Sequence, residues 1–433
     1  MLKTWGVILA LLAAVTPGAS PGSANDGDVR RSQLANGITV LTSERPEGQV
    51  VAFHAGFRGG SRDEDDATVG AAHFMEHMFF QGAKRYADQA SIFDSVTSRG
   101  GWINAFTSFE QIAFQVVVAA EDFDIGLDVL SDILVNSTFP ADKVDKERAV
   151  VLEELNRGRN SPERYADEVL TKAMLTGHPA ERLPIGSRET VNNSTREVLV
   201  DFRDRYFVSG NMVIAVVGPV SHEAVLAKVT PAFAGMRSGS LYDRTVVAPP
   251  PAKPQRIDIQ AGSSQGRVLV GAPVPGLNSE EQYPLDVLAE ILGSSGRRLM
   301  NDLRDQRGLV ADAGSSSYQL TDVGLFELYA SVTPSGTEAA LQALREHLEQ
   351  VRSAAPSDEE VTNAIRYIEG RTELGMQGSI RQAGTIAGPH TLGPAADIDV
   401  YLEGIRRVTP QAIQAVAERY LDPDMLTVVV VKP

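Results

Sequence analysis

The chain has 433 residues, a formal net charge of −16 and no cysteine. The acidic balance, without any Lys/Arg-rich run, argues against a nucleic-acid surface. The missing thiol excludes a disulfide framework, a cysteine nucleophile, thiolate metal ligands and lipid attachment at cysteine. Length calls for two or more domains, and a 43% hydrophobic content is enough for their cores.

The N-terminus, MLKTWGVILALLAAVTPGASPGSAND, places one lysine before an apolar run from Trp5 to Val15, then small residues and prolines. This reads as a secretory signal peptide over residues 1–24, with cleavage near Ala24. The run is short for a bilayer span, and an uncleaved anchor is the alternative. Export is thereby expected, to the periplasm if the host is Gram-negative.

Strands are predicted at Gly37 to Thr42 and Val50 to Phe57. A helix follows from about Gly70 to Phe80, then a second through DQASIFDSVTSR that stops at Gly100 and Gly101. WINAFTS and QIAFQVVVA read as neighbouring strands. Two helices come next, EDFDIGLDVLSDILV and PADKVDKERAVVLEELNR, the latter with Pro140 at its start. NMVIAVVG is an apolar, β-branched strand. The prolines of VVAPPPAKPQ, residues 246–255, mark a stiff linker. It divides an N-terminal domain, residues 25–245, from a C-terminal one, residues 256–433. A faint repeat relates the two halves: FRDRYFVSGNMVIAVVG closes the first and VAERYLDPDMLTVVVVKP the second, with Thr195 and Thr409 at matching places before the helices. Chance likeness of two helix–strand units is the alternative.

The chemistry-bearing stretch is HFMEH. His73 and His77 stand at i, i+4, so a helix puts both imidazoles on one face. Two such rings can share a zinc ion, and Glu76 can point at a metal-bound water. A hydrolytic site needs a third protein ligand and an open position. The other histidines, His54, His178, His222, His347 and His390, are scattered singly. Glu147 and Glu154, seven residues apart in DKERAVVLEELNRG, share a helix face; Glu153 is turned from it by about 100°. An acidic helix face can also be simply solvated.

The combination resembles the pitrilysin/insulysin family of zinc metallopeptidases, which includes mitochondrial processing peptidase. The family pattern is His-x-x-Glu-His, 69 residues, Glu, six residues, Glu, and here His77, Glu147 and Glu154 keep those gaps. GGWINAFTSFEQIAFQV, ERAVVLEE and GHPAERLPIG resemble further family segments. The resemblance spans the mature chain and implies an α+β fold: two homologous α/β domains, each a mostly antiparallel sheet packed with helices. It implies that His73, His77 and Glu154 ligate one Zn2+, that Glu76 is the general base, and that Glu147 orients the site without touching the ion. Asn104 and Ala105 would lie on an edge strand that pairs with a substrate backbone.

Two departures limit the match. Active members carry in the second domain an arginine and, seven residues later, a tyrosine that grip substrate. Arg304 fits the first, but position 311 is Ala311, and Tyr318 is seven residues too far. No histidine lies near LDVLAEILG, where a duplicated metal helix would fall. The resulting expectation is a secreted zinc endopeptidase acting on peptides or unfolded segments, the zinc-bearing subunit of a heterodimer whose homologous partner supplies the Arg/Tyr pair. A homodimer or monomer that dispenses with the tyrosine is the simpler arrangement. A non-catalytic binding or scaffold subunit is the alternative function, and a hydrolase of non-peptide substrates a third.

Overall fold

The structure is a computed structural model that describes residues 29–260, 266–293 and 296–432; the predicted leader lies outside them. The first half runs β1 (Arg30–Gln33), β2 (Thr39–Glu44), β3 (Val50–Arg58), α1 (Ala71–Phe79), α2 (Gln89–Thr97), β4 (Trp102–Thr107), β5 (Gln111–Ala119), α3 (Phe123–Asn136), α4 (Ala141–Arg159), α5 (Pro162–Met174), α6 (Arg188–Asn193), α7 (Arg196–Tyr206), β6 (Met212–Gly218) and α8 (His222–Ala232). The second runs β7 (Gln255–Gln260), β8 (Gly266–Pro275), α9 (Gln282–Leu292), β9 (Val310–Gln319), β10 (Val323–Val332), α10 (Thr337–Ser353), α11 (Asp358–Met376), α12 (Ser379–Leu392), α13 (Ile398–Arg406), α14 (Pro410–Tyr420) and β11 (Thr427–Lys432).

Among the described residues the strands form a six-stranded sheet, β1-β2-β6-β3-β5-β4, and a five-stranded one, β7-β11-β8-β10-β9. In the first, β2 and β6 are parallel and the other pairs antiparallel. In the second, β7 and β11 are the parallel pair. Without β1 the two orders coincide strand for strand, so the likeness of the two closing units extends to five strands in each half. Thr195 and Thr409 hold the same office in each: both cap the helix before the closing strand, accepting from Val198 N and Ala412 N. The closing strand β6 is buried along its whole length. It is covered on both faces, which is why it reads as a continuous apolar run rather than an alternating one.

Each sheet packs one face against its own helices. Phe74, Met75, Met78 and Phe79 of α1 are fully buried in the first core, and Leu285, Leu288 and Leu292 of α9 in the second. The opposite faces are covered by exchange. Helix α5 of the first half lays Ala166, Leu170 and Met174 on Leu269, Leu325, Val429 and Val431 of the second sheet. Its counterpart α12, from the second half, lays Ala383 and Ala387 on Leu41, Val213, Ala215 and Val217 of the first. The boundary drawn along the chain at residues 246–255 therefore does not separate the packing: each half completes the other's core.

A buried ionic lock joins the halves. The Arg62 guanidinium donates to both carboxylate oxygens of Asp322, at 2.7 and 2.7 Å, and to Glu110 Oε1 at 2.6 Å. Asp322 Oδ2 also accepts from the linker amide Val247 N at 2.7 Å, and Glu110 Oε2 from Thr321 N at 2.9 Å. Arg244 completes the set on Asp63 at 2.7 Å. A guanidinium with 1% of its side chain exposed needs this many partners to be tolerated there.

Candidate active site

Helix α1 is apolar nearly all round, as befits a helix surrounded by protein. Phe79 packs on Phe114, Phe139 and Phe207, with ring centroids 5.1, 5.1 and 4.8 Å away. Its start is set from outside. Gly70 takes a left-handed φ of 96° and has no side chain to cap the helix. Instead Glu64 reaches back, accepting from Gly70 N at 2.8 Å and Ala72 N at 2.6 Å. A Cβ on Gly70 would lie 3.0 Å from Gly186 Cα, so the GHPAERLPIG segment ends by wedging against the helix start. Neither Glu64 nor this wedge is visible in the residue pattern.

On this helix the two imidazoles converge. His73 Nε2 and His77 Nε2 face each other at 3.2 Å. Glu154 Oε2, from α4, lies 3.6 Å from each. These three atoms lie within 4.8 Å of one another, the one group of its kind among the described residues. Glu153 is exposed, turned out of the site as helix geometry requires. Glu147 sits behind: His77 Nδ1–H donates to Glu147 Oε2 at 3.1 Å. Once Nε2 gives up its proton, that bond holds the neutral ring with its Nε2 lone pair facing Glu154 and His73. Glu76 is buried beside them, its Oε2 accepting from the Thr107 hydroxyl at 2.6 Å.

The donor set fits a tetrahedral ion. Zinc bonds of about 2.0–2.1 Å at tetrahedral angles put ligand atoms about 3.3–3.4 Å apart, close to the separations here. Glu154 Oε2 is buried and makes no hydrogen bond, a costly state unless a cation meets it. Electrostatics point the same way. Burial would lower the His77 imidazole, but Glu147, Glu154 and Glu76 outweigh it and push it up to about 10. His73 falls to about 3 through burial and the neighbouring His77 charge. Burial would raise Glu154, yet His77, His73 and Arg157 hold it below its ordinary value. The pocket thus favours one positive charge at its centre. Burial raises Glu76 to about 7 against the pull of His77 and Thr107.

Asn104 and Ala105 are half-buried on β4, the outer strand of the first sheet, which packs beside α1. Arg304 stands apart. It is exposed in the helical turn Met300–Gln306, with its guanidinium 2.7 Å from the adjacent Asp305. No contact between it and the His73–His77–Glu154 group occurs among the described residues. Ala311 is exposed on β9, the outer strand of the second sheet. In the second half, α9 has the place of α1 but carries Asp286 and Glu290 at i, i+4. Asp286 accepts from the Tyr401 hydroxyl at 3.0 Å, and Glu290 pairs with Arg297 at 3.0 Å. In helices of equal length, α4 and α11, the place of Glu154 falls to Arg371. Arg297 and Arg371 both act on the Glu290 charge.

The profile of Insulinase (Peptidase family M16) matches residues 39–186, and that of Peptidase M16 inactive domain matches residues 193–368. A Streptomyces coelicolor protein described as an "uncharacterized zinc protease" is 30% identical over 407 residues, covering 91% of this chain and 88% of its own length. The chain belongs to the M16, or pitrilysin, family. A Bacillus subtilis relative, also described as an uncharacterized zinc protease, is 26% identical, covering 81% of this chain and 85% of its own. Among solved structures, a protease from Helicobacter pylori superposes with a TM-score of 0.86 at 23% identity, over 94% of this chain and all (100%) of that one. A Pseudomonas fluorescens peptidase M16 inactive domain superposes with a TM-score of 0.85 at 20% identity, over 94% and 98%. These likenesses carry the two-domain α+β fold. The second profile begins before the linker, takes in the closing units of the first half, and ends within α11.

Proposed function

We propose that this chain is a zinc-dependent endopeptidase acting on extended peptides or unfolded segments. The observation that carries the reading is the convergence of His73, His77 and Glu154, whose Oε2 accepts no hydrogen bond, on one point, with Glu76 buried alongside. His73 Nε2, His77 Nε2 and Glu154 Oε2 would hold the ion, and Glu147 would keep His77 in register. A bound zinc ion supplies Lewis-acid polarisation of a peptide carbonyl and of water. Glu76 takes the proton from the attacking water and returns it to the departing amide nitrogen. β4 would take the substrate backbone as an added strand through Asn104 and Ala105, so that main-chain hydrogen bonds give affinity with little demand on sequence.

The incomplete second half shapes the rest of the reading. With Ala311 in place of a tyrosine and Arg304 paired to its neighbour, the substrate grip is supplied by a homologous subunit, and this chain is the zinc-bearing member of a heterodimer. Export is part of the same reading, supported by the signal-like N-terminal sequence. No helix among the described residues is long and apolar enough to cross a membrane.

The test is purification of the mature chain from its host, alone and with whatever co-purifies, followed by elemental analysis and cleavage of an unstructured peptide. About one zinc per chain is expected. Glu76→Gln should keep zinc and lose hydrolysis, whereas Glu154→Ala should lose the metal. A chain with no zinc, or an E76Q variant with full turnover, overturns the reading in favour of a scaffold subunit. Full activity of the isolated chain overturns the heterodimer alone.

A further inference from the structure

Thr107 is the last residue of β4, and it is buried. Its hydroxyl makes the one hydrogen bond that the Glu76 carboxylate has among the described residues, at 2.6 Å. Strand alternation puts Ile103, Ala105 and Thr107 on the α1 side of the sheet. Phe106 points to the other side, where its ring meets His54. Nothing in the strand itself calls for a hydroxyl at 107. Valine has the same branched shape and suits a strand as well. A buried hydroxyl is costly without a partner, and here its partner is the general base.

We propose, on the peptidase reading above, that Thr107 is a positioning residue for Glu76. Its O–H occupies one lone pair of Oε2 and fixes the plane of the carboxylate, so that the base meets water in one orientation. The strand that would align the substrate backbone at Asn104 and Ala105 thus also holds the base. Substrate and base share one rigid frame, and this matters because an error of about 1 Å in such a frame can lower the rate about a hundredfold.

The test uses the full mature chain, with its partner subunit if one co-purifies, carrying T107V, T107S or E76Q. Zinc content, thermal midpoint, KM and kcat are measured for each. T107V is expected to keep its zinc and its KM, while kcat falls about ten- to hundredfold. T107S, which keeps the hydroxyl, should return to within about threefold of the parent. A crystal structure of T107V should show the Glu76 carboxylate turned from its T107S orientation. If T107V misfolds, T107A removes the hydroxyl without a branched replacement and is read the same way. Parental kcat in T107V beside an inactive E76Q overturns the inference and leaves the peptidase reading standing. Equal losses in T107V and T107S overturn it too, since keeping the hydroxyl would then rescue nothing and the packing of the whole side chain would be what matters. Full turnover in E76Q overturns both.

Discussion

Glu147→Gln probes how a carboxylate that would not touch an ion can still govern its binding. Glu147 Oε2 lies 3.1 Å from His77 Nδ1, and the two side chains are 9% and 12% exposed. Glutamine has the same length and can still accept the Nδ1–H, so only the charge is lost. A hydrogen bond to a charged group contributes about 1.5–3 kcal/mol, against about 0.5–1.5 for a neutral pair. The difference, about 1–1.5 kcal/mol, is close to a factor of ten in dissociation constant. It also falls within the roughly 10–100-fold range seen when a metal-binding histidine loses its supporting partner. E147Q is therefore expected to weaken zinc binding about tenfold, and E147A further. Competition against a chromophoric chelator at fixed pH reads this directly, with urea unfolding of the metal-free forms as the control for fold. An E147Q affinity within about twofold of the parent, beside an E154Q variant that loses zinc, would refute the idea that Glu147 acts through His77.

Other outcomes test the frame around the site. Asp322→Ala leaves Arg62 with Glu110 alone and strips the Val247 amide of its acceptor; a loss of about 3–5 kcal/mol in chemical unfolding is expected, and a change under about 1 kcal/mol would show the lock to be idle. Glu64→Ala frees the Gly70 and Ala72 amides, with an expected loss of about 2 kcal/mol and faster hydrogen exchange at those two positions; unaltered exchange there would deny Glu64 its capping role. Asp167, on the exchanged helix α5, is raised to about 7 by burial and by Glu327. Its folded pKa lies above the unfolded value, so the folded chain binds the proton more tightly, and stability falls as pH rises from about 4 to about 7. D167N should therefore be the more stable form at pH about 8, by about 2 kcal/mol, and lose its advantage near pH about 4; parallel pH profiles for the two forms would rule this out.

The legible parts of this molecule are those in which one element carries its own meaning. His73, Glu76 and His77 lie within one and a half helical turns, so their spacing alone predicts a shared face. Glu147 and Glu154 are placed by the same periodicity on another helix, but only the family pattern connects the two helices. Thr107 and Glu64 escaped notice for a different reason. Their roles exist only where a strand end or a loop reaches α1, at sequence separations of 31, 6 and 8 residues, and no period marks them. The helix exchange was equally hidden. The apolar stripe of α5 announces that something covers it, while the sheet that does so is fixed by how the halves dock. Arg304, matched by residue type in a family segment, is an exposed side chain paired with its neighbour Asp305.

The reciprocal seating of α5 and α12 makes each half a poor candidate for life as a separate polypeptide. Expressed alone, either would present a bare sheet face and a stray amphipathic helix to solvent, an invitation to aggregate. Together, the same two fragments hold complementary parts of one interior. Severing the chain within its proline linker after folding should leave them clasped, and co-expressing the two fragments should let them find each other, so the chain is in effect a dimer that has been tied.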